Sequence, residues 1–146
     1  MSAAARRCPV TIPTGEEQPS FGPSGFNYGS TRLRVELYWP HGNLTAGKLP
    51  DGGYMATISR DGSISAKVGW WRGTPGQLVV RGWRLDARAA PLRADVRTVA
   101  EYGPTGFVPS GVTFPTTGCW RVVGKLRNAS LSFVVRVTKL EQRTRY

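Results

Sequence analysis

Residues 114–140 read FPTTGCWRVVGKLRNASLSFVVRVTKL, and the second half of this stretch alternates apolar with polar residues. Leu131, Phe133, Val135 and Val137 fall on one side of an extended chain, while the residues between them fall on the other. The run GCWRVVGKL before it can also form a strand, and RNAS supplies a turn between the two runs. The stretch therefore predicts a half-buried β-hairpin.

Similar patterns extend towards the N-terminus. Residues 31–39 alternate strictly, with four apolar residues on one face and Arg34 on the other, and predict another half-buried strand. Asp61-Gly62 supplies the positive φ angles that a tight hairpin needs, so strands are expected at about 54–59 and 63–71. A further strand is expected around 78–83. Residues 87–103 contain the one helix-like patch, but Pro91 breaks it and favours a linker or a short strand near 94–99.

The chain as a whole is expected to be all-β. About seven short strands separated by turns predict an immunoglobulin-like antiparallel β-sandwich, with a small barrel as the alternative. The 146 residues, 40% of them hydrophobic, are enough for one core. We expect an irregular N-terminal segment at 1–29, with an edge strand near 10–12, then the sandwich at 30–140 and a basic tail at 141–146.

Two cysteines leave four interpretations open. Gly118-Cys119-Trp120 resembles a structural corner of such sandwiches, in which Trp120 faces the core and Cys119 faces away from it. A Cys8–Cys119 disulfide would then tie the N-terminal segment to the sheet, and two unpaired thiols are the main alternative. A metal site would need more ligands than two cysteines and His41, and a cysteine nucleophile would have only His41 as its base.

The composition is strongly basic, with 20 Lys and Arg against 9 Asp and Glu and a net charge of +11. Such a charge indicates a polyanionic partner, although the arginines are spread along the chain rather than clustered in a nucleic-acid-binding arm. No apolar run of 18 residues is present, so no membrane-spanning segment is expected. The start MSAAARRCP has no apolar core of a signal peptide, which predicts either a cytosolic protein or one whose leader has been removed.

Tryptophans next to arginines are the best candidates for ligand contacts. An exposed ring beside a guanidinium group can stack on a sugar or a base while the charge binds an anion. Because neighbours on a strand face opposite ways, one ring of the 70–71 pair should be buried and the other exposed. The alternative is that these arginines only cover the rings of a structural core. The candidates are Trp70, Trp71, Arg72, Trp83, Arg84 and Arg121.

Several runs resemble uncharacterised bacterial exported or lipoprotein-type domains. The most specific is SGVTFPTTGCWRVVGK at 110–125, and shorter ones are WWRG at 70–73, GWRLD at 82–86, PLRA at 91–94 and YGPTGF at 102–107. The resemblance spans about residues 8–138. It implies a protein that is exported or tethered to the cell envelope, and it implies no activity.

Three function classes follow from these patterns. The first, which we favour, is a noncatalytic domain of the cell envelope that binds an anionic polymer, a membrane headgroup or a partner protein. The second is a nucleic-acid-binding protein, which the charge supports. The third is a small hydrolase or isomerase, for which only a pair such as Asp86 and Asp95 could be assembled by the fold. We expect no catalytic residue, no metal and no cofactor, because no motif for one is present.

Overall fold

The computed structural model describes residues 7–13 and 25–140 as two β-sheets packed face to face. One sheet has six strands in the order β1-β2-β5-β8-β7, with β4 also paired to β5, and the other has four in the order β3-β10-β9-β6. The strands are β1 Tyr28–Gly29, β2 Leu33–Val35, β3 Asn43–Ala46, β4 Thr57–Ile58, β5 Ile64–Arg72, β6 Val79–Arg84, β7 Arg93–Val96, β8 Gly106–Phe114, β9 Gly118–Leu126 and β10 Ala129–Lys139.

The predicted all-β sandwich is confirmed. All strand pairs are antiparallel except β3, which lies parallel to β10. The described ranges contain ten strands rather than about seven, because β1, β3 and β8 were not expected. The first two are short pairings of two and four residues, whereas β8 is a nine-residue strand that the sequence suggested only as a lead into β9. A 3-10 turn at Pro40–Gly42 and a single helical turn, α1, at Val99–Tyr102 complete the elements.

The hairpin predicted from residues 114–140 is formed by β9 and β10. Its pairing runs from Leu126 with Ala129 to Gly118 with Val137, and Arg127 adopts a φ of 51° in the turn. The Asp61-Gly62 hairpin is also present between β4 and β5, with Gly62 at a φ of 88°. A short strand after Pro91, β7, is present as expected.

The strand predicted at 31–39 is shorter than its alternation suggests. The strand β2 ends at Val35 because Asn27 then binds the backbone N–H and carbonyl of Leu37 through its side-chain amide. The apolar positions of this run are nevertheless buried. Arg34, expected on the exposed face, is only 7% exposed and donates from Nε to the Phe26 carbonyl at 2.7 Å, so that expectation was wrong.

Trp70 of β5 fills the centre of the core. Its side chain is fully buried, 6.1 Å from the ring of Phe133 on the opposite sheet, and its indole N–H donates to the Ser110 hydroxyl at 3.0 Å. On β9, Gly124 faces this ring. A Cβ atom at position 124 would lie 2.6 Å from the indole, so the two sheets approach here only because the residue is glycine.

The disulfide between Cys8 and Cys119 is present, with the two Cα atoms 5.4 Å apart. Residues 10–12 do not form the expected edge strand. Thr11 instead makes two hydrogen bonds to the backbone of Val134, through its own N–H and its hydroxyl. Part of the N-terminal segment, at 1–6 and 14–24, and the expected basic tail at 141–146 lie outside the described residues. Within the described ranges, no helix has the length and apolarity needed to cross a membrane.

Removal of the disulfide should lower the free energy of unfolding by about 4 to 5 kcal/mol, because the bond closes a long loop in the unfolded chain. The test is urea denaturation of a Cys8→Ser, Cys119→Ser double variant without reductant. Wild-type protein treated with dithiothreitol should unfold at the same midpoint as the variant. A wild-type midpoint that reduction leaves unchanged would contradict this expectation.

Gly124→Ala should destabilise the protein by about 1 to 3 kcal/mol, because the added methyl group overpacks the core against Trp70. Gly111→Ala on β8 is the matched control, since a Cβ atom there meets nothing within 4 Å. This second change should be neutral or stabilising by up to about 1 kcal/mol. Thermal unfolding of both variants measures the difference, and equal losses would show that Trp70 does not set the sheet separation.

Candidate functional site

Two of the six predicted ligand-binding residues lie in the interior. Trp70 is in the core, and Arg72 is only 1% exposed. Arg72 donates from its guanidinium to the backbone carbonyls of Gly76, Gly106, Thr105 and Tyr102 at 3.0 to 3.3 Å. Burial lowers the pKa of Arg72. These two side chains therefore hold the core and the loops together, and the expectation that they meet a ligand is corrected.

Trp71 lies on the outward side of the six-stranded sheet. It is half-buried, with its ring 6.0 Å from that of Phe26. The split predicted for the tryptophan pair is confirmed, since Trp70 is buried and Trp71 is partly exposed. Trp71 is nevertheless on a different sheet from Trp83, so the predicted residues do not form one cluster.

Trp83 and Arg121 do come together. They are directly paired between β6 and β9, and both point outward from the four-stranded sheet. Trp83 is 47% exposed and Arg121 is half-buried, with its guanidinium 3.5 Å from the Ser132 hydroxyl. An exposed ring therefore stands beside a cation, which is the arrangement that the sequence suggested for ligand binding.

Further cations extend this pair into a patch. Arg81 is paired with Val123, which places it diagonally between Lys125 and Arg121, and Arg136 is diagonal to Arg121 on the other side. Diagonal neighbours on one face have Cβ atoms about 7 to 8 Å apart, so the four charges form a connected row. We call this surface the basic sheet face and define it by Arg81, Trp83, Arg121, Lys125 and Arg136.

The basic sheet face has no acidic residue to neutralise it within its own strands. None of β3, β6, β9 and β10 contains Asp or Glu. Asp86, just after β6, is already paired with Arg84, whose Nε lies 2.7 Å from its carboxylate. Arg84 also donates to the Thr116 hydroxyl, so this predicted ligand-binding arginine has a structural role.

The corner predicted at Gly118 and Trp120 lies at one end of this face. Trp120 is fully buried, packs edge-on against Phe114 at 5.5 Å and donates its indole N–H to the Thr116 carbonyl. Gly118 has a φ of 137°, and a side chain there would collide with the Arg84 guanidinium. The loop before β9 is therefore fixed from both sides.

Asp86 binds this corner to β6. Its carboxylate accepts hydrogen bonds from Arg84 and from the backbone N–H of Cys119 at 3.1 Å. Burial opposes ionisation of Asp86, but these two hydrogen bonds and the Arg84 charge outweigh it and lower its pKa. The same contacts place Asp86 beside the disulfide, so the border of the basic sheet face is fixed by a covalent bond and an ion pair.

Sequence analysis missed Arg81, Lys125 and Arg136 as members of the site. The signal was present in part, because Arg121, Val123 and Lys125 alternate along β9 and must share a side. What was lacking was the register between β6, β9 and β10, which brings positions 81, 121 and 136 together.

The other candidates for chemistry are His41 and the pair Asp86 and Asp95. His41 lies in the 3-10 turn at Pro40–Gly42, and its side chain is exposed. Asp95 lies on β7 of the six-stranded sheet, whereas Asp86 lies in the bend that follows β6 of the four-stranded sheet. Among residues 7–13 and 25–140, no three or more His, Cys, Asp or Glu side chains are grouped so that they could hold a metal ion.

Comparison with known proteins gives no relative from which a function could be inferred for this chain. No protein-family model matches the chain, and neither a curated protein nor a solved structure does.

Asp86→Asn should destabilise the protein at neutral pH, and the difference from wild type should shrink in acid. The folded-state pKa of Asp86 lies below its usual 3.8, so its contribution is present above that value and is lost as the pH falls through the folded-state pKa. Urea denaturation of both proteins from pH 7 down to about pH 2 measures this. Asp95→Asn, at a largely exposed carboxylate, is the control and should have little effect. A difference in the free energy of unfolding that stays constant with pH would show that the charge of Asp86 does not stabilise the fold.

Proposed function

We propose that this protein is a noncatalytic binding domain of the cell envelope that holds an anionic polymer on its basic sheet face. The observation that carries the proposal is the basic sheet face itself, which presents four Arg and Lys residues on one side of a sheet whose strands contain no Asp or Glu. A flat face with one sign of charge attracts a polyanion without needing a pocket of fixed shape.

The disulfide supports a location outside the cytosol, as the proposed cell-envelope domain requires. Disulfides form and persist outside the reducing cytosol, and this one joins residues on two separate elements. It favours export over a cytosolic nucleic-acid-binding role, although both functions would use the same charges.

The arrangement of Trp83 supports a specific contact in addition to general attraction. Its exposed ring stands directly across from Arg121, so a bound polymer segment could lie on an apolar surface while the neighbouring cations bind its anionic groups. Removal of the cations should weaken binding, because each lost phosphate contact removes part of the salt-dependent affinity.

An Arg81→Ser, Arg121→Ser, Lys125→Ser variant should bind sodium polyphosphate about tenfold or more weakly than wild type, because each phosphate contact contributes to the salt-dependent part of the affinity. Titration followed by Trp fluorescence measures the dissociation constants at several salt concentrations. The matched control is Arg32→Ser, Arg60→Ser, Arg88→Ser, which removes three exposed cations elsewhere and has the same net charge.

The control should keep most of the affinity and the salt dependence. Equal losses of affinity in the two variants would show that binding follows net charge alone. The proposal that polyphosphate binds at the basic sheet face would then be wrong. A single-stranded oligonucleotide and vesicles containing phosphatidylglycerol are tested in parallel. Tighter binding to the oligonucleotide than to polyphosphate would favour the nucleic-acid alternative, and binding only to the vesicles would identify a membrane-surface protein.

A further inference from the structure

A second surface, on the other side of the sandwich, has different chemistry. It is a groove of about 800 Å³ across the outward face of the six-stranded sheet. We call it the tyrosine groove and define it by Tyr38, Tyr54, Lys67, Arg93, Asp95 and Gly111. It shares no residue with the basic sheet face.

The floor of the tyrosine groove contains a notch. Lys67 on β5 and Asp95 on β7 are both paired with Gly111 on β8, so the three positions form one row across the sheet. Strands lie about 4.8 Å apart, which separates the backbones of Lys67 and Asp95 by about 10 Å. A Cβ atom on Gly111 would meet nothing within 4 Å, so the space between the two charged residues is open.

The wall of the groove is aromatic. Tyr54 is 59% exposed and Tyr38 is 39% exposed. Tyr38 donates its hydroxyl hydrogen to the Met55 carbonyl at 2.7 Å, which fixes its ring at the wall. Burial and the charge of Glu36 raise the pKa of Tyr38 to about 12, so its hydroxyl stays neutral. Two ring surfaces therefore line the groove.

The charges of the groove favour an anionic group. Within the described residues, neither Lys67 nor Arg93 forms an ion pair, whereas Asp95 already has Arg97 at 3.7 Å. Close to Lys67, Ser65 and Thr113 share a hydrogen bond of 3.1 Å between their hydroxyls and add donors and acceptors to the floor. The groove thus combines two unpaired cations, hydroxyl groups and exposed aromatic rings.

We propose that the tyrosine groove binds a short oligosaccharide segment that carries a carboxylate. A pyranose ring has an apolar face that can lie on a tyrosine ring, and its hydroxyls can bond to Asp95 and the floor. The carboxylate binds Lys67 or Arg93. The groove is open along its length, which suits a segment of a longer chain. This site is independent of the polymer bound by the basic sheet face.

The probe is the disaccharide N-acetylglucosaminyl-N-acetylmuramic acid. Its neutral match is N,N′-diacetylchitobiose, called chitobiose below, since the two differ only in the lactyl group that carries the carboxylate. Titration is followed by amide chemical shifts of the ¹⁵N-labelled full chain. Digalacturonate is a second carboxylated probe. The carboxylated disaccharides should shift the amides of β5, β7 and β8, and chitobiose should bind about tenfold more weakly, because it lacks the charge-assisted bond.

Two variants locate the binding. Gly111→Val fills the notch with a side chain suited to a strand and should abolish binding while thermal stability is kept, since a Cβ atom has free space there. Tyr54→Ala should weaken binding about tenfold through the lost ring surface. The Arg81→Ser, Arg121→Ser, Lys125→Ser variant should bind the carboxylated disaccharides as wild type does.

The outcomes separate the two sites. No shift in β5, β7 or β8 with either carboxylated probe at up to about 10 mM would overturn the proposal, since weaker binding has little specificity. An affinity that neither Gly111→Val nor Tyr54→Ala changes would also overturn the proposal. If chitobiose binds as tightly as the carboxylated disaccharides, the claim that the site recognises a carboxylate is wrong. If the wild-type protein binds the carboxylated disaccharides but not polyphosphate, the proposal for the basic sheet face has failed. If it binds polyphosphate but not the disaccharides, the proposal for the tyrosine groove has failed.

Discussion

The fit of the Trp70 indole against Gly124 determines how closely the two sheets can approach. These residues lie on β5 and β9, each of which is hydrogen-bonded to the long strand of its own sheet, β8 or β10. The buried indole N–H does not lack a partner, because the Ser110 hydroxyl accepts from it and donates in turn to the Val68 carbonyl. The outward faces are ordered by the same packing, since residues alternate between the inward and the outward side along each strand.

The arginines form two populations with different physical roles. Arg34 and Arg72 are buried and use their guanidinium groups to satisfy backbone carbonyls where the chain leaves regular pairing. The other arginines of the described ranges are exposed or partly exposed, and their distribution between the sheets is uneven, with four in β6, β9 and β10 and one in β7 of the six-stranded sheet. Net charge alone is therefore a poor guide to the surface of this protein, and the strand-by-strand distribution of acidic residues is a better one.

Features that depend on a few consecutive residues could be predicted from the sequence. The β9–β10 hairpin, the turn at Gly62 and the opposite burial of Trp70 and Trp71 follow from alternation and turn chemistry. Each of these depends on local geometry that the chain itself determines. The Cys8–Cys119 disulfide joins residues 111 positions apart, and the sequence left it open against two unpaired thiols.

Features that depend on the register between distant strands could not be predicted. Arg81 and Arg121 are neighbours only through the pairing of β6 with β9. Tyr54 and Gly111 line one groove only because β4 and β8 both flank β5. Arg72 looked like a surface residue because three of the four carbonyls that bind it belong to residues 102–106, some thirty positions further along the chain.

The contact between Thr11 and Val134 has a consequence for how this protein behaves towards its own copies. The strand β10 has β3 beside it only from Arg136 to Lys139, so its earlier part would otherwise present free N–H and carbonyl groups to any extended chain. Thr11 occupies both groups of Val134, and the bond from Cys8 keeps it there. Unpaired strand edges are templates for aggregation, and the disulfide thus protects this edge from association as well as stabilising the fold.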